Sequence, residues 1–83
     1  MGAYLIMEEL ITDNDFLLSL GRRIKKGRLK RNLTQLQLAV LCDIEKGHLS
    51  RIERGKTNPT IATLQTIAGK LEMNFVELFQ NGN

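Results

Sequence analysis

Eighty-three residues, 25% of them charged and 42% apolar, make one domain with a core small enough to favour short helices or a dimer. No stretch approaches the roughly 20 apolar residues of a membrane span, and the start MGAYLIMEEL lacks the basic region and apolar run of a secretory signal. A single cysteine, Cys42, rules out an internal disulfide and fits a reducing compartment, so a cytoplasmic protein is expected.

The net charge of +3 conceals a segregation. Residues 1–15 carry four acids and no base, residues 16–56 eleven bases against three acids, and residues 57–83 one base against two acids. A basic middle section suggests a polyanionic partner. Read alone, the run RRIKKGRLKR fits a solvated helix face equally well.

In chain order, residues 1–14 form an extension without a clear pattern, residues 15–80 the folded domain and residues 81–83 a tail. Asp15 can cap a first helix from Phe16 to about Arg31, with Leu17, Leu20, Ile24 and Leu29 on its apolar side. Gly21 and Gly27 weaken this helix, and Asn32 can take the left-handed conformation that ends it. TQLQ is a capping box, Thr34 with Gln37, for a short second helix that ends near Cys42 with Asp43 as the turn residue.

A third helix spans about Lys46 to Arg54, with Leu49 and Ile52 on one face and Gly55 as a left-handed cap. Pro59 and Thr60 open a fourth, whose stripe is Ile61, Leu64, Ile67, Ala68 and Leu71. Asn74 and Glu77 cap a last short helix, FVELF. Nothing alternates with period two for long enough to suggest a sheet. The expected fold is all-α, a compact five-helix domain in which the second and third helices form a helix-turn-helix.

The stretch LTQLQLAVLCDIEKGHLSRIERGKTNPTIATLQTIAGKLEMNFVELF resembles the phage-repressor and Cro-type helix-turn-helix family, also called the XRE family. The markers are LTQ, Ala39, LSRIERG, Asn58-Pro59 and ELF, and the likeness covers roughly residues 18–79. It implies five helices, a dimer on duplex DNA, and the third helix in the major groove. By position, Lys46, Gly47, His48 and Arg51 would face base edges. Thr34, Gln35, Arg54, Lys56 and Asn58 would contact the backbone, with Gln35 also steadying the front of the third helix. Arg28 and Glu53 match an internal salt bridge between the first and third helices.

Arg51 is the best single candidate for base reading, because its planar fork matches O6 and N7 of guanine, a pairing that discriminates by about 1–3 kcal/mol. Gly47 either lets the helix front approach the groove closely or is a neutral position; His48 either contacts the nucleic acid or is merely exposed. Phe75, Val76 and Phe79 offer more apolar surface than one small core needs and are assigned to a dimer contact, with Leu78 the member best suited to the core.

The sequence departs from the family at several positions. Glu45 replaces the usual Ser or Thr cap, and Cys42 fills an aliphatic position. Leu36, Val40 and Leu41 stand where polar residues are common. The acidic extension, with Tyr4, Leu5, Ile6, Leu10 and Ile11, could cover the Leu36/Val40 side, within its own subunit or across a dimer; the alternatives are a disordered tail or a start codon upstream of Met7.

The expected function is sequence-specific duplex DNA binding by a stand-alone transcriptional regulator, a repressor or autoregulator reading an inverted repeat as a homodimer. The competing function is a protein-interaction module using Leu36 and Val40. Catalysis is disfavoured: one His and one Cys six residues apart form no metal-ligand cluster, and GRRIKKG lacks the end of a phosphate loop. No cofactor or metal is expected.

Overall fold

The computed structural model describes residues 14–79. The described residues form four α-helices, α1 (Asn14–Lys30), α2 (Gln35–Cys42), α3 (Lys46–Glu53) and α4 (Ile61–Lys70), followed by a 3-10 helix, Phe75–Phe79. The described residues form no strand. No helix among them is long and apolar enough to cross a membrane. The proposed fold-back of the extension over Leu36 and Val40 and the tail at residues 81–83 lie outside the described residues.

Local signals account for most helix boundaries. The Thr34 hydroxyl accepts from the Gln37 amide at 3.0 Å, and the Gln37 side chain accepts from the Thr34 amide at 2.8 Å. This reciprocal cap satisfies two otherwise orphan donors, and a cap of this kind contributes about 1 kcal/mol. Thr60 accepts from the Thr63 amide in the same way at the head of α4. The Glu77 carboxylate accepts from the Asn74 amide at 2.6 Å.

All four α-helices end alike. Asn32, Asp43, Gly55 and Glu72 each have positive φ, at 58°, 56°, 71° and 55°. Each is followed by a residue whose amide reaches back to the helix: Leu33 to Arg28, Ile44 to Ala39, Lys56 to Arg51 and Met73 to Ala68. This closure pairs the last carbonyls and turns the chain sharply, which keeps the connections short.

The core gathers one apolar stripe from each element. Ile24, Leu38, Leu49, Ile52, Ile67 and Leu78 are essentially inaccessible to solvent. Each such side chain contributes about 1.5–3 kcal/mol relative to exposure. Cys42 belongs to the same cluster as a small apolar group.

The structure corrects several expectations. α1 begins at Asn14, so Asp15 lies in its first turn instead of capping it. Leu29 and Ile61, assigned to buried stripes, are 54% and 64% exposed. The last helix is 3-10 and not α. Gly21, read as a weakness, marks the crossing of α1 and α3: a Cβ there would stand 2.4 Å from the Glu53 carbonyl oxygen and 2.5 Å from that of Ile52. Only a residue without a side chain allows this backbone approach.

Candidate nucleic-acid interface

The turn between α2 and α3 is fixed from within. Ala39 is buried, Asp43 takes the left-handed conformation, and the Ile44 amide returns to the Ala39 carbonyl at 3.0 Å. α3 then buries Leu49, Ile52 and Glu53. Lys46, Gly47 and Arg51 are exposed, and His48 and Ser50 are half-buried. The four residues assigned to base edges thus all lie off the buried side of α3.

A buried ion pair anchors the rear of this helix. Arg28 of α1 donates through Nε to Glu53 Oε2 at 2.7 Å and through Nη2 to Oε1 at 3.0 Å. Its Nη1 donates to the Leu33 carbonyl at 2.8 Å. Gln35 Nε2 donates to Glu53 Oε1 at 3.0 Å. One carboxylate therefore ties α1, the entry to α2 and the end of α3 together. Both charged residues are 6% exposed, and no buried side-chain nitrogen or oxygen among the described residues lacks a partner. A buried pair adds little net stability over apolar residues, but its fork geometry sets the relative placement of three elements.

Gln35 was expected to steady the front of α3; its amide instead holds Glu53, the last residue of that helix. At the front, Glu45 is the N-cap and makes no side-chain capping bond. Its carboxylate adds negative charge where the helix dipole is positive.

Gly47 has space around it. A Cβ there would meet only the Arg51 guanidinium, at 3.6 Å, which is ordinary contact. Nothing inside the chain demands glycine at this position. Arg54, Lys56 and Asn58 are exposed beyond the end of α3. With Thr57, which the sequence reading passed over, they form one wall of a shallow cleft whose other wall is Leu17 and Leu18 of α1. Arg54 Nε also donates to the Ser50 carbonyl at 3.3 Å. Thr34 is exposed at the head of α2.

Two further surfaces are apolar. Leu36, Val40 and Leu41 are 57%, 70% and 47% exposed, and with Leu33 and Gln37 they form an open groove on α2. At the 3-10 helix, Phe79 stacks on Phe16 with centroids 6.1 Å apart and meets Phe75 edge-on at 5.1 Å. Val76 is 62% exposed, while Leu78 is fully buried and Phe75 packs partly against the core.

Two short helices joined by a tight left-handed turn, the second pinned at its rear and basic on its open side, define a helix-turn-helix domain. The helix-turn-helix family model HTH_3 matches residues 24–78, and the chain belongs to that family. It is 43% identical over 54 residues to an immunity repressor protein of Bacillus phage phi105, a match covering 65% of this chain and 38% of that protein. The chain likewise spans 40% of SlrR, an HTH-type transcriptional regulator of Bacillus subtilis. It is 33% identical over 69 residues to the control protein C.MunI of a Mycoplasma species, covering 82% of this chain and 93% of that one. Among solved structures, the restriction-modification controller C.AhdI of Aeromonas hydrophila superposes with a TM-score of 0.74 at 28% identity, over 76% of this chain and 96% of that one. SinR in complex with DNA superposes with a TM-score of 0.70 at 32% identity, over 74% and 98%. These relatives are repressors, controllers and regulators.

Proposed function

We propose that the chain is a cytoplasmic transcriptional regulator, a repressor or autoregulator that reads an inverted repeat in duplex DNA as a homodimer. The observation that carries this reading is the open side of α3, where Lys46, Gly47, His48 and Arg51 lie free of the core while Arg28, Gln35 and Glu53 hold the rear. α3 enters the major groove. Arg51 reads guanine through O6 and N7, and Lys46 and His48 reach across Gly47 to neighbouring edges. Thr34, Gln35, Arg54, Lys56 and Asn58 contact phosphates and fix the register.

A single domain of this size reads too few bases for high affinity. Phe75, Val76 and Phe79 join two copies, and the two α3 helices then meet half-sites one turn, roughly 34 Å, apart. The SinR complex with DNA and the control protein C.MunI support this reading by likeness of fold and sequence.

A second reading rests on the exposed Leu36, Val40 and Leu41, which suit a protein partner on α2. Selection of bound duplexes from a random pool at near-physiological salt, with Arg51→Ala in parallel, separates the two. A DNA reader enriches an inverted repeat that the variant blurs. No enrichment, or equal enrichment by both proteins, discards base reading by Arg51 and favours the α2 partner.

A further inference from the structure

α1 carries a basic face that the DNA reading does not use. Arg22, Lys25, Lys26 and Lys30 are exposed around Leu29, itself 54% exposed, and the five line one open groove. Their spacing of three and four places them on one side of the helix. The opposite side is buried through Leu17, Leu20, Ile24 and Arg28. α3 crosses α1 at Gly21, on that buried side. The basic face therefore looks away from α3.

Nothing among the described residues balances this charge. α1 has no acid after Asp15, and neither ion pair of the described residues includes these four cations. The groove floor is formed by Leu29 and the aliphatic stems of the basic side chains. A fitting occupant carries acids beside apolar side chains.

Residues 1–13 have that chemistry. They hold Glu8, Glu9 and Asp13, no Lys or Arg, and Tyr4, Leu5, Ile6, Leu10 and Ile11. They join α1 at Asn14, and a helix rises 1.5 Å per residue, so Leu29 lies about 22 Å along the axis from that junction. Thirteen residues can span up to about 43 Å, so the same chain reaches the whole face. The apolar groove on α2 is no match for the acids, because α2 contains neither an acid nor a base.

We propose that residues 4–11 dock on the basic face of α1 in the same chain, with Glu8 and Glu9 against Lys25 and Lys26 and the side chains of Tyr4, Leu5 and Ile6 over Leu29. The docked segment shields four cations from non-specific attraction to polyanions and leaves α3 open.

The test uses the full chain without DNA, so its outcome is independent of the DNA reading. Amide chemical shifts are compared between the wild type and Glu8→Lys/Glu9→Lys. Docking predicts shift changes across residues 22–30, far from the substitutions in sequence, with Leu64 and Ile67 unmoved. Adding Lys25→Glu/Lys26→Glu returns the remaining amides of that face toward wild-type positions. Changes confined to the neighbourhood of residues 8 and 9, or changes at Leu36 to Leu41, overturn the proposal. Should a variant lose its fold, the wild type decides. Raising salt to about 1 M, where screening acts within about 3 Å, moves the amides of residues 22–30 if the segment docks. A salt response no larger there than on the rest of the surface overturns it.

Discussion

The Arg51 guanidinium lies 3.6 Å from the point where a Cβ would stand on Gly47. The two residues are one helical turn apart on the open side of α3, and the bare backbone at 47 leaves that side low between the side chains of Lys46 and His48. In a helix interior glycine is costly, and the surrounding space does not require it. Its use at this position is consistent with a close approach to something outside the chain.

Gly47→Ala is therefore expected to separate stability from binding. The new methyl fits, and since Gly47 lies in the first turn of α3 the fold gains at most about 1 kcal/mol, seen as a higher denaturant midpoint. On the proposed major-groove reading, DNA affinity falls, because the methyl would stand between α3 and the groove floor. An affinity that rises along with stability would show that Gly47 is a neutral position.

Arg28 and Glu53 share two hydrogen bonds inside the protein. Arg28→Met strands the carboxylate and should cost about 3–5 kcal/mol in chemical denaturation. Arg28→Met combined with Glu53→Leu should cost less than the single change, because no charge is left buried alone. An additive loss would mean that the two residues act independently.

Lys56 is exposed beside the end of α3 and is assigned a phosphate. Lys56→Ala should weaken binding to specific and scrambled duplexes by similar factors. It should also lower the slope of log K against log salt by about one, read by fluorescence anisotropy. An unchanged slope removes Lys56 from the phosphate contacts.

Burial pushes the Cys42 thiol to higher pKa, with Lys70 pulling weakly the other way. The folded chain therefore keeps this proton at a pH where the unfolded chain has lost it. The contribution is fully present below the unfolded thiol's pKa and declines as pH rises past it. Urea midpoints between about pH 7 and pH 10 should fall more steeply for the wild type than for Cys42→Ala. Parallel slopes would show that the thiol does not titrate differently on folding.

What the sequence settled was local. Thr34 with Gln37, Thr60, Asn32, Asp43 and Gly55 act within a few residues of themselves, so their roles as caps and turns follow from residue type and spacing alone. The helix-turn-helix and its open basic side follow from the same signals together with Leu49 and Ile52.

Tertiary structure decided the rest. Periodicity gives the direction of an apolar stripe but not its width, which depends on where the neighbouring element ends; Leu29 and Ile61 fall beyond that edge. Glu72 takes a left-handed conformation that its residue type does not advertise, because the chain must turn there to lay Leu78 into the core. Gln35 finds Glu53, eighteen positions away, at the wrong end of α3 for its expected role. Gly21 looks like a flaw in a helix until Glu53 and Ile52 are seen against its backbone. Contacts between residues far apart in sequence leave no trace in local spacing, and only packing around a shared core brings them within reach.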